Sequence, residues 1–175
     1  MKDETLLDRY LADSLRLLRQ AAIVLPRQAT ASIYHHEGAA KVYQTGALFI
    51  KVVDRDYCKS YVVMQEHQRY PDHYHRIKTE SMYVLYGELT VTLDGKEHRL
   101  GPGEIIHIDR GQDHAFYTEK GTVFEEISTT YVPNDSVYLD ETIRKAPYSV
   151  RRSLLNETQW EELLRHAEGE SVFRL

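Results

Sequence analysis

The chain contains 175 residues, of which 42% are hydrophobic and 28% are charged, so it can bury one substantial core but is short for two. Its formal charge of -5 argues against a surface that holds nucleic acid through phosphate contacts, and we expect a small-molecule ligand. The single cysteine, Cys58, cannot form an internal disulfide, and the charged N-terminus lacks the apolar run of a signal peptide. No stretch approaches the roughly 20 apolar residues that a membrane span needs, so we expect a cytoplasmic protein without membrane partners.

The first and last predicted elements are helices. Apolar residues recur at helical spacing between Glu4 and Leu25, and Pro26 closes the pattern. Near the other end, Thr158 and Glu161 have the spacing of a capping box, with Gly169 as the expected stop. The sequence therefore predicts helical segments over residues 1–30 and 148–175.

The central region, residues 31–147, changes to short runs rich in β-branched and aromatic residues, separated by turn signals. Asp94 and Gly95 lie between two alternating runs and predict a hairpin, because that turn needs residues that tolerate positive φ. We predict strands at Ala47–Val53, Ser60–Glu66, Ser81–Leu85, Glu88–Leu93, Lys96–Leu100, Glu104–Ile108, His114–Tyr117 and Thr122–Thr130. Regularly spaced short strands favour an all-β sandwich or small barrel, in one structural domain, over a parallel α/β sheet.

Three histidines and one glutamate form the most informative motif. His73 and His75 lie two apart, so in a strand both imidazoles point to the same face. Glu80 begins the next strand and adds an oxygen ligand, while His114 follows a glycine turn on a later strand. Such a set suits a divalent ion such as manganese, iron, nickel, cobalt or zinc, with coordination positions left for substrate or water.

The spacing of these residues resembles the two motifs of the cupin superfamily. The first reads H-x-H-x4-E-x6-G from His73 to Gly87, and the second ends at His114. Asp109 stands where the second motif usually has proline, in a turn that carries no ligand. The resemblance implies a single-domain jelly-roll barrel that binds one metal ion in its interior.

Further polar positions lie near the predicted ligands. Lys78 precedes Glu80 by two residues, so in an extended stretch it projects on the same side and can stabilise an enolate. Glu125 and Glu126 are adjacent in a strand, so one faces the interior and the other faces solvent or a subunit contact. The interior carboxylate can act as a general base, and an acidic edge strand that limits aggregation is the alternative interpretation.

A longer stretch, residues 46–143, resembles carbohydrate-active cupins that include D-lyxose isomerases, and also the cupin segment of some sialic-acid-type (nonulosonate) synthases. The likeness rests on the phrases PDHYHRIKTESMYVLYG, FEEISTT and NDSVYLD. It implies a manganese-type ion on the four ligands, Lys78 in the sugar site and an acid or base at Glu126. Asp135 or Asp140 matches a further position of the site.

These features predict a metal-dependent isomerase that interconverts an aldose and a ketose, of the D-lyxose/D-xylulose or D-mannose/D-fructose type. In this hypothesis Glu126 moves the proton and Lys78 polarises a sugar oxygen. The other candidate sugar contacts are Tyr83, Phe116 and Asp135, with Tyr117 as a further wall against water.

Two other functions fit the same motifs. A cupin dioxygenase is one, because three histidines and a glutamate also suit iron and oxygen, but that interpretation leaves Lys78 and Glu126 unexplained. A non-catalytic carbohydrate-binding cupin of a polysaccharide or nonulosonate pathway is the other, and it predicts binding without turnover.

The pairs Arg144-Lys145 and Arg151-Arg152 could bind a phosphate group. Near the end of the chain we expect them to be solvated or in salt bridges, so the sequence favours a neutral monosaccharide. The N-terminal helix and the exposed β edges predict a homodimer.

Overall fold

The computed structural model describes residues 5–168, and its strands form two antiparallel sheets that face each other. The helices are α1 (Leu6–Gln20), α2 (Glu141–Lys145) and α3 (Glu157–Glu168). The strands are β1 (Thr30–His35), β2 (Gly46–Asp54), β3 (Cys58–Met64), β4 (Arg69–His75), β5 (Glu80–Gly87), β6 (Leu89–Leu93), β7 (Lys96–Leu100), β8 (Ile105–Ile108), β9 (His114–Tyr117), β10 (Thr122–Ser128), β11 (Ser136–Tyr138) and β12 (Arg152–Leu154). The seven-stranded sheet has the order β12-β1-β2-β3-β10-β5-β8, and the five-stranded sheet has the order β11-β4-β9-β6-β7. The predicted all-β jelly roll with helices at both ends is confirmed.

The helix boundaries differ from the prediction. Thr5 caps α1 through a reciprocal capping box with Asp8, and the helix ends at Gln20, before Pro26, because Ala22 has a left-handed φ of 54°. The cap of α3 is formed by Asn156 and Gln159, which bond each other's backbone N–H groups, and not by Thr158 and Glu161. The expected stop at Gly169 lies outside the described residues. None of the helices within residues 5–168 is both long and apolar enough to cross a membrane.

Apolar side chains pack in two layers, one inside the barrel and one on its outer surface. Inward residues of both sheets form the interior layer, including Met64, Val84, Leu89, Val91 and Phe124. Helix α1 covers the outer face of the seven-stranded sheet, and the Tyr10 hydroxyl donates to Gln68 Oε1 at 2.9 Å. Because α1 shields this outer face, both faces of the large sheet can carry apolar residues.

The chain after residue 130 returns to both sheets and completes one end of the barrel. Strand β11 pairs with β4 and sets Tyr138 opposite His73, while β12 pairs with β1 and sets Arg152 opposite Tyr34. The predicted boundary at residue 148 therefore divides the barrel itself, since residues 152–154 belong to the seven-stranded sheet. These two short strands bring distant residues beside the histidine motif.

Candidate metal centre and active site

Four buried side chains converge inside the barrel as the sequence predicts. His73 and His75 extend from β4, Glu80 begins β5 and His114 begins β9. One ligand atom from each residue lies within 4.8 Å of the others. The alternation of β4 and the turn before β9 produce this convergence, because residues two apart share a face.

Backbone carbonyls fix the orientation of two of the imidazole rings. Nδ1 of His73 donates to the carbonyl of Pro71 at 2.8 Å, and Nδ1 of His114 donates to the carbonyl of Gln112 at 3.0 Å. In a neutral imidazole whose Nδ1 carries the proton, Nε2 is unprotonated and its lone pair is available to a metal ion. Fixing the tautomer in this way is common for histidines that bind metals.

The atoms at the centre fit a divalent cation. Nε2 of His75 lies 3.2 Å from one oxygen of Glu80, and Nε2 of His114 lies 3.1 Å from the other. Both nitrogens are buried, and neither forms a hydrogen bond with any residue that the structure describes. Buried lone pairs that face a carboxylate need a proton or a cation between them. Nitrogen and oxygen donors in this ratio suit a borderline divalent metal.

The electrostatics keep two of the ligands, His73 and Glu80, in the protonation states that metal binding requires. Burial, reinforced by the neighbouring His114 and His75, holds the pKa of His73 well below its usual value. Burial alone would raise the pKa of Glu80, but the Lys78 ammonium and the two histidines outweigh it and hold that pKa well below normal. The centre therefore presents a neutral imidazole at His73 and an ionised carboxylate at Glu80.

Lys78 joins this centre to a second carboxylate. Its Nζ lies 2.6 Å from Oε2 of Glu80 and 2.8 Å from Oε1 of Glu126. The residue lies in the loop between β4 and β5, not in the extended stretch that we expected, yet its side chain still points towards the ligands. Burial opposes the charged form of Lys78, but Glu126 and Glu80 together raise its pKa above the ordinary value. The side chain is therefore an ammonium.

Strand parity separates the two adjacent glutamates of β10. Glu126 lines the same cavity as His73, together with Ser128 from its own strand. Glu125 points to the opposite face and binds Lys59 at 2.6 Å. The sequence did not decide which of these two glutamates faces the interior, and in the structure it is Glu126.

Asp135 lines the cavity but uses its carboxylate to hold the loop that carries Lys78. Oδ1 accepts the backbone N–H groups of Arg76 and Ile77, and Oδ2 accepts that of Lys78. Oδ2 also lies 3.6 Å from Nδ1 of His75. Asp135 therefore holds this loop in place through its carboxylate, and because it also lines the cavity it stays a predicted sugar contact.

The cavity above the centre has a volume of about 170 Å³, and its walls combine aromatic side chains with polar and charged ones. Phe116 stacks on Tyr70 with ring centroids 4.6 Å apart, as part of one wall. Tyr83 and Tyr117, both expected in the site, are absent from the lining among the described residues. They alternate with inward residues of β5 and β9, so their side chains point away from the cavity. Aromatic residues that do line it are Tyr34, Phe49, Tyr70, Phe116, Tyr138 and Tyr148.

Residues 60–128 match the family described as the cupin domain. They span β3 to β10 and contain all four candidate metal ligands. The chain contains a cupin domain.

Solved structures extend the likeness of this cupin beyond the matched segment. L-ribose isomerase from Cellulomonas parahominis is 13% identical, with 81% of this chain and 94% of that chain covered and a TM-score of 0.66. A mutant L-ribose isomerase from Acinetobacter sp. DL28, in complex with L-ribose, is 13% identical, with 78% and 92% covered and a TM-score of 0.64. At these identities the likeness concerns the fold.

A curated relative of the cupin segment has a different activity. Quercetin 2,3-dioxygenase from Bacillus subtilis is 40% identical over 48 residues, which is 27% of this chain. The match covers only 14% of that protein. The similarity is therefore confined to a short part of both chains.

Basic residues near the end of the cupin chain divide into two groups. Arg144 and Lys145 bind Glu141 at 3.2 and 2.7 Å on the surface, as expected. Arg151 and Arg152 instead line the cavity, and Arg151 is buried. The expectation that they are solvated or salt-bridged is wrong for Arg151, because pairing of β12 with β1 carries the segment into the barrel wall.

Proposed function

We propose that this cupin is a metal-dependent isomerase that interconverts an aldose and a ketose, of the D-lyxose/D-xylulose or D-mannose/D-fructose type. The position of Lys78 carries the proposal, because its ammonium lies between a candidate metal ligand, Glu80, and a cavity carboxylate, Glu126. Isomerisation needs a proton carrier and a stabiliser of negative charge beside the metal, and this pair supplies both. The fold that the chain shares with two L-ribose isomerases supports a sugar substrate.

His73, His75, Glu80 and His114 would hold one divalent ion, and manganese is our first choice over iron, cobalt, nickel and zinc. When bound, such an ion acts as a Lewis acid towards sugar oxygens. The buried Nε2 atoms of His75 and His114, which form no hydrogen bond within residues 5–168, support this interpretation of the centre.

In the proposed reaction, Glu126 moves one proton between adjacent carbons. Its carboxylate accepts the C–H proton next to the aldose carbonyl, and the electron pair of that bond forms the carbon–carbon double bond of an enediolate. The same carboxyl group then returns the proton to the former carbonyl carbon, while the proton of the neighbouring hydroxyl passes to the former carbonyl oxygen, which gives the ketose. Lys78 donates a hydrogen bond to the oxygen on which negative charge develops. The atoms of the sugar are conserved, and no oxidant is consumed.

The cavity wall restricts the access of water to the reacting carbons, so the carried proton exchanges with solvent slowly rather than at once. Phe116 and Tyr70 are buried and stacked beside the ligands. Glu126 and Lys78 are each only 13% exposed at the side chain, so few water molecules can reach the carboxyl group. Excluding water also strengthens the electrostatic contacts that Lys78 makes.

The test is proton exchange at carbon. Manganese-loaded protein is incubated without oxygen in heavy water with a panel of pentoses, hexoses and their acidic derivatives, and the sugars are followed by NMR. We expect deuterium at a carbon next to the carbonyl and conversion of aldose to ketose. Sugar binding without exchange for every member of the panel would overturn the proposal in favour of a carbohydrate-binding cupin.

A dioxygenase is the second candidate, favoured by the local similarity to the Bacillus subtilis enzyme. It requires oxygen consumption by the iron-loaded protein, whereas the isomerase does not. An oxygen electrode, used with the iron-loaded protein and flavonol or sugar substrates, separates the two. Oxygen uptake together with failure of carbon exchange would replace the isomerase with this function.

We also propose that the protein forms a homodimer. Strand β12 ends the seven-stranded sheet, and Leu154 on it is 66% exposed. An unpaired edge strand is a common contact between copies of a barrel. Sedimentation velocity checks this, and a concentration-independent monomer would contradict it.

A further inference from the structure

We infer that the substrate carries an anionic group, a phosphate or a carboxylate, that binds to Arg151 and Arg152 at the end of the cavity. This inference rests on the proposed function, since it names the class of sugar that the same cavity accepts. It also reverses the preference for a neutral sugar that the sequence alone suggests.

Arg151 is a buried cation without a counter-ion among the described side chains. The residue is 8% exposed, and its Nε forms no hydrogen bond within the described part of the chain. Its guanidinium carbon lies 5.0 Å from the ring centre of Tyr138 and 5.7 Å from that of Tyr148. Cation–π contacts offset part of the cost of burial, but they leave the N–H groups free to bind an anion in a bidentate geometry.

Arg152 approaches the same tyrosine from the neighbouring position. It donates a hydrogen bond to the Tyr148 hydroxyl, and its guanidinium carbon lies 5.0 Å from that ring. The two arginines share a side of the chain although they are adjacent, because Arg151 has helical φ and ψ angles at the end of a short 3-10 turn. The local backbone therefore places both guanidinium groups on one cavity end.

The charges that line the cavity are unbalanced. Its cationic residues are Lys51, Lys78, Arg151 and Arg152, and its carboxylates are Glu126 and Asp135. Glu126 is bound by Lys78, and Asp135 accepts backbone N–H groups, so neither neutralises an arginine. Lys51 is paired with Asp54. The two arginines are thus the cations of this cavity that lack a partner of opposite charge among the described residues.

Tyr138 relates the two ends of the cavity. Its ring centroid lies 5.4 Å from that of His73, and its face contacts the Arg151 guanidinium at 5.0 Å. One aromatic ring therefore separates the metal ligands from the arginines. A monosaccharide spans this length when its reacting carbons lie at the centre and a phosphate or carboxylate is attached to its far end. A neutral sugar forms no ion pair with Arg151, so it should bind more weakly than an acidic sugar of the same size.

The experiment compares three ligands that differ only at that end: D-mannose, its terminal phosphate ester and D-mannuronate. Dissociation constants are measured by titration calorimetry on the manganese-loaded protein. At least one of the two acidic ligands should bind about 10- to 100-fold more tightly than D-mannose. Whether the phosphate or the carboxylate binds more tightly identifies the source of the anionic group. The Arg151→Gln and Arg152→Gln variants should each lose most of this difference while binding of D-mannose changes less than about twofold.

Arg144→Gln is the matched control, because it makes the same change in an arginine that is paired with Glu141 on the surface. It should bind all three ligands as the unaltered protein does. If Arg151→Gln does not fold, the half-buried Arg152 still supplies the comparison.

The outcomes separate the inference from the proposed function. Equal affinity for the three ligands, or a difference that survives both arginine substitutions, would overturn the anionic subsite and leave the isomerase intact. Selective binding of an acidic sugar that disappears in the variants, without proton exchange at carbon, would support the subsite and overturn the isomerase. Selective binding of an acidic sugar, together with proton exchange at its carbon, supports both the anionic subsite and the isomerase.

Discussion

Glu125 and Glu126 are consecutive in β10, yet each binds a lysine on a different side of the sheet. The Glu125 carboxylate lies 2.6 Å from Lys59, and the Glu126 carboxylate lies 2.8 Å from Lys78 inside the cavity. The same side chain thus occurs twice, once within the site and once outside it. This arrangement gives the catalytic hypothesis its most direct control.

Glu126→Gln should slow carbon-proton exchange by about 100- to 10,000-fold, because an amide cannot accept the proton. Manganese content, measured by plasma mass spectrometry, should be unchanged. Glu125→Gln should retain exchange within about twofold, since it alters a lysine pair of similar geometry on the outer face. Unchanged exchange in Glu126→Gln, or loss of its metal, would remove the carboxylate from the proposed role.

His75→Ala should lower both metal content and turnover, because it deletes one of the four converging donors. His107→Ala is the control. His107 lies on β8, is not one of the four converging donors, and forms a 2.8 Å hydrogen bond with the Ser81 hydroxyl. The unaltered protein and His107→Ala should gain thermal stability when manganese is added, and His75→Ala should gain little. Full metal retention in His75→Ala would contradict the proposed centre.

Asp135→Asn should destabilise the protein by about 1–2 kcal/mol, because one charged acceptor of backbone N–H groups is replaced by a weaker one. It should also lower kcat about tenfold, since the loop that carries Lys78 loses its anchor. Asp140→Asn removes a comparable carboxylate that accepts the N–H groups of Thr142 and Ile143 at the start of α2.

The two aspartate variants should therefore differ in kcat, and urea denaturation of each protein records the accompanying change in stability. Asp140→Asn is expected to keep kcat within about twofold of the unaltered protein, because its change lies outside the cavity lining. Equal kcat in both variants would show that Asp135 acts on stability alone.

The burial of His36 leads us to expect that the protein loses stability in acid. Burial, with contributions from Arg151 and His35, lowers its pKa to about 3, and its ring packs against Tyr70 and Tyr138. Between its ordinary value of 6.5 and about 3, the unfolded chain binds a proton at His36 that the folded chain does not. Stability should therefore fall as the pH is lowered through this window, by up to about 1.4 kcal/mol per pH unit.

His36→Phe keeps an aromatic ring in this position and removes the titrating group. Urea denaturation of both proteins from about pH 7 to about pH 4 checks the prediction. The variant should show the shallower decline. Parallel curves for the two proteins would contradict it, because the other titrating groups are common to both.

The metal centre was predictable because its information is local. The spacing of His73 and His75 in a strand and the glycine turn before His114 specify which side chains share a face. The same parity rule explains why Tyr83 lies outside the cavity lining: Glu80 points inward, so a residue three positions later in β5 points outward. Tyr117 lies outside the lining for the same reason, since the inward residue beside it is Phe116.

The opposite end of the cavity was not predictable from local patterns. Strands β11 and β12 have three residues each, which is too short for a periodicity to be recognised. Tyr138 becomes a neighbour of His73 through a strand pair whose members are far apart in the chain. Arg151 follows a 3-10 turn, so strand alternation gives no guide to its direction. This arginine is buried because β12 pairs with β1, and no local sequence pattern indicates that pairing.

The pairing of β12 with β1 has a consequence for how substrate preference can diverge. All four metal ligands lie between residues 73 and 114, whereas Arg151 ends a short 3-10 turn and Arg152 begins the edge strand that follows it. Replacing the segment around residues 148–154 would therefore change which group is bound at the far end of the sugar, while the residues around the reacting carbons stay the same. Chimeras that keep the barrel and graft this edge strand are a direct way to redesign specificity.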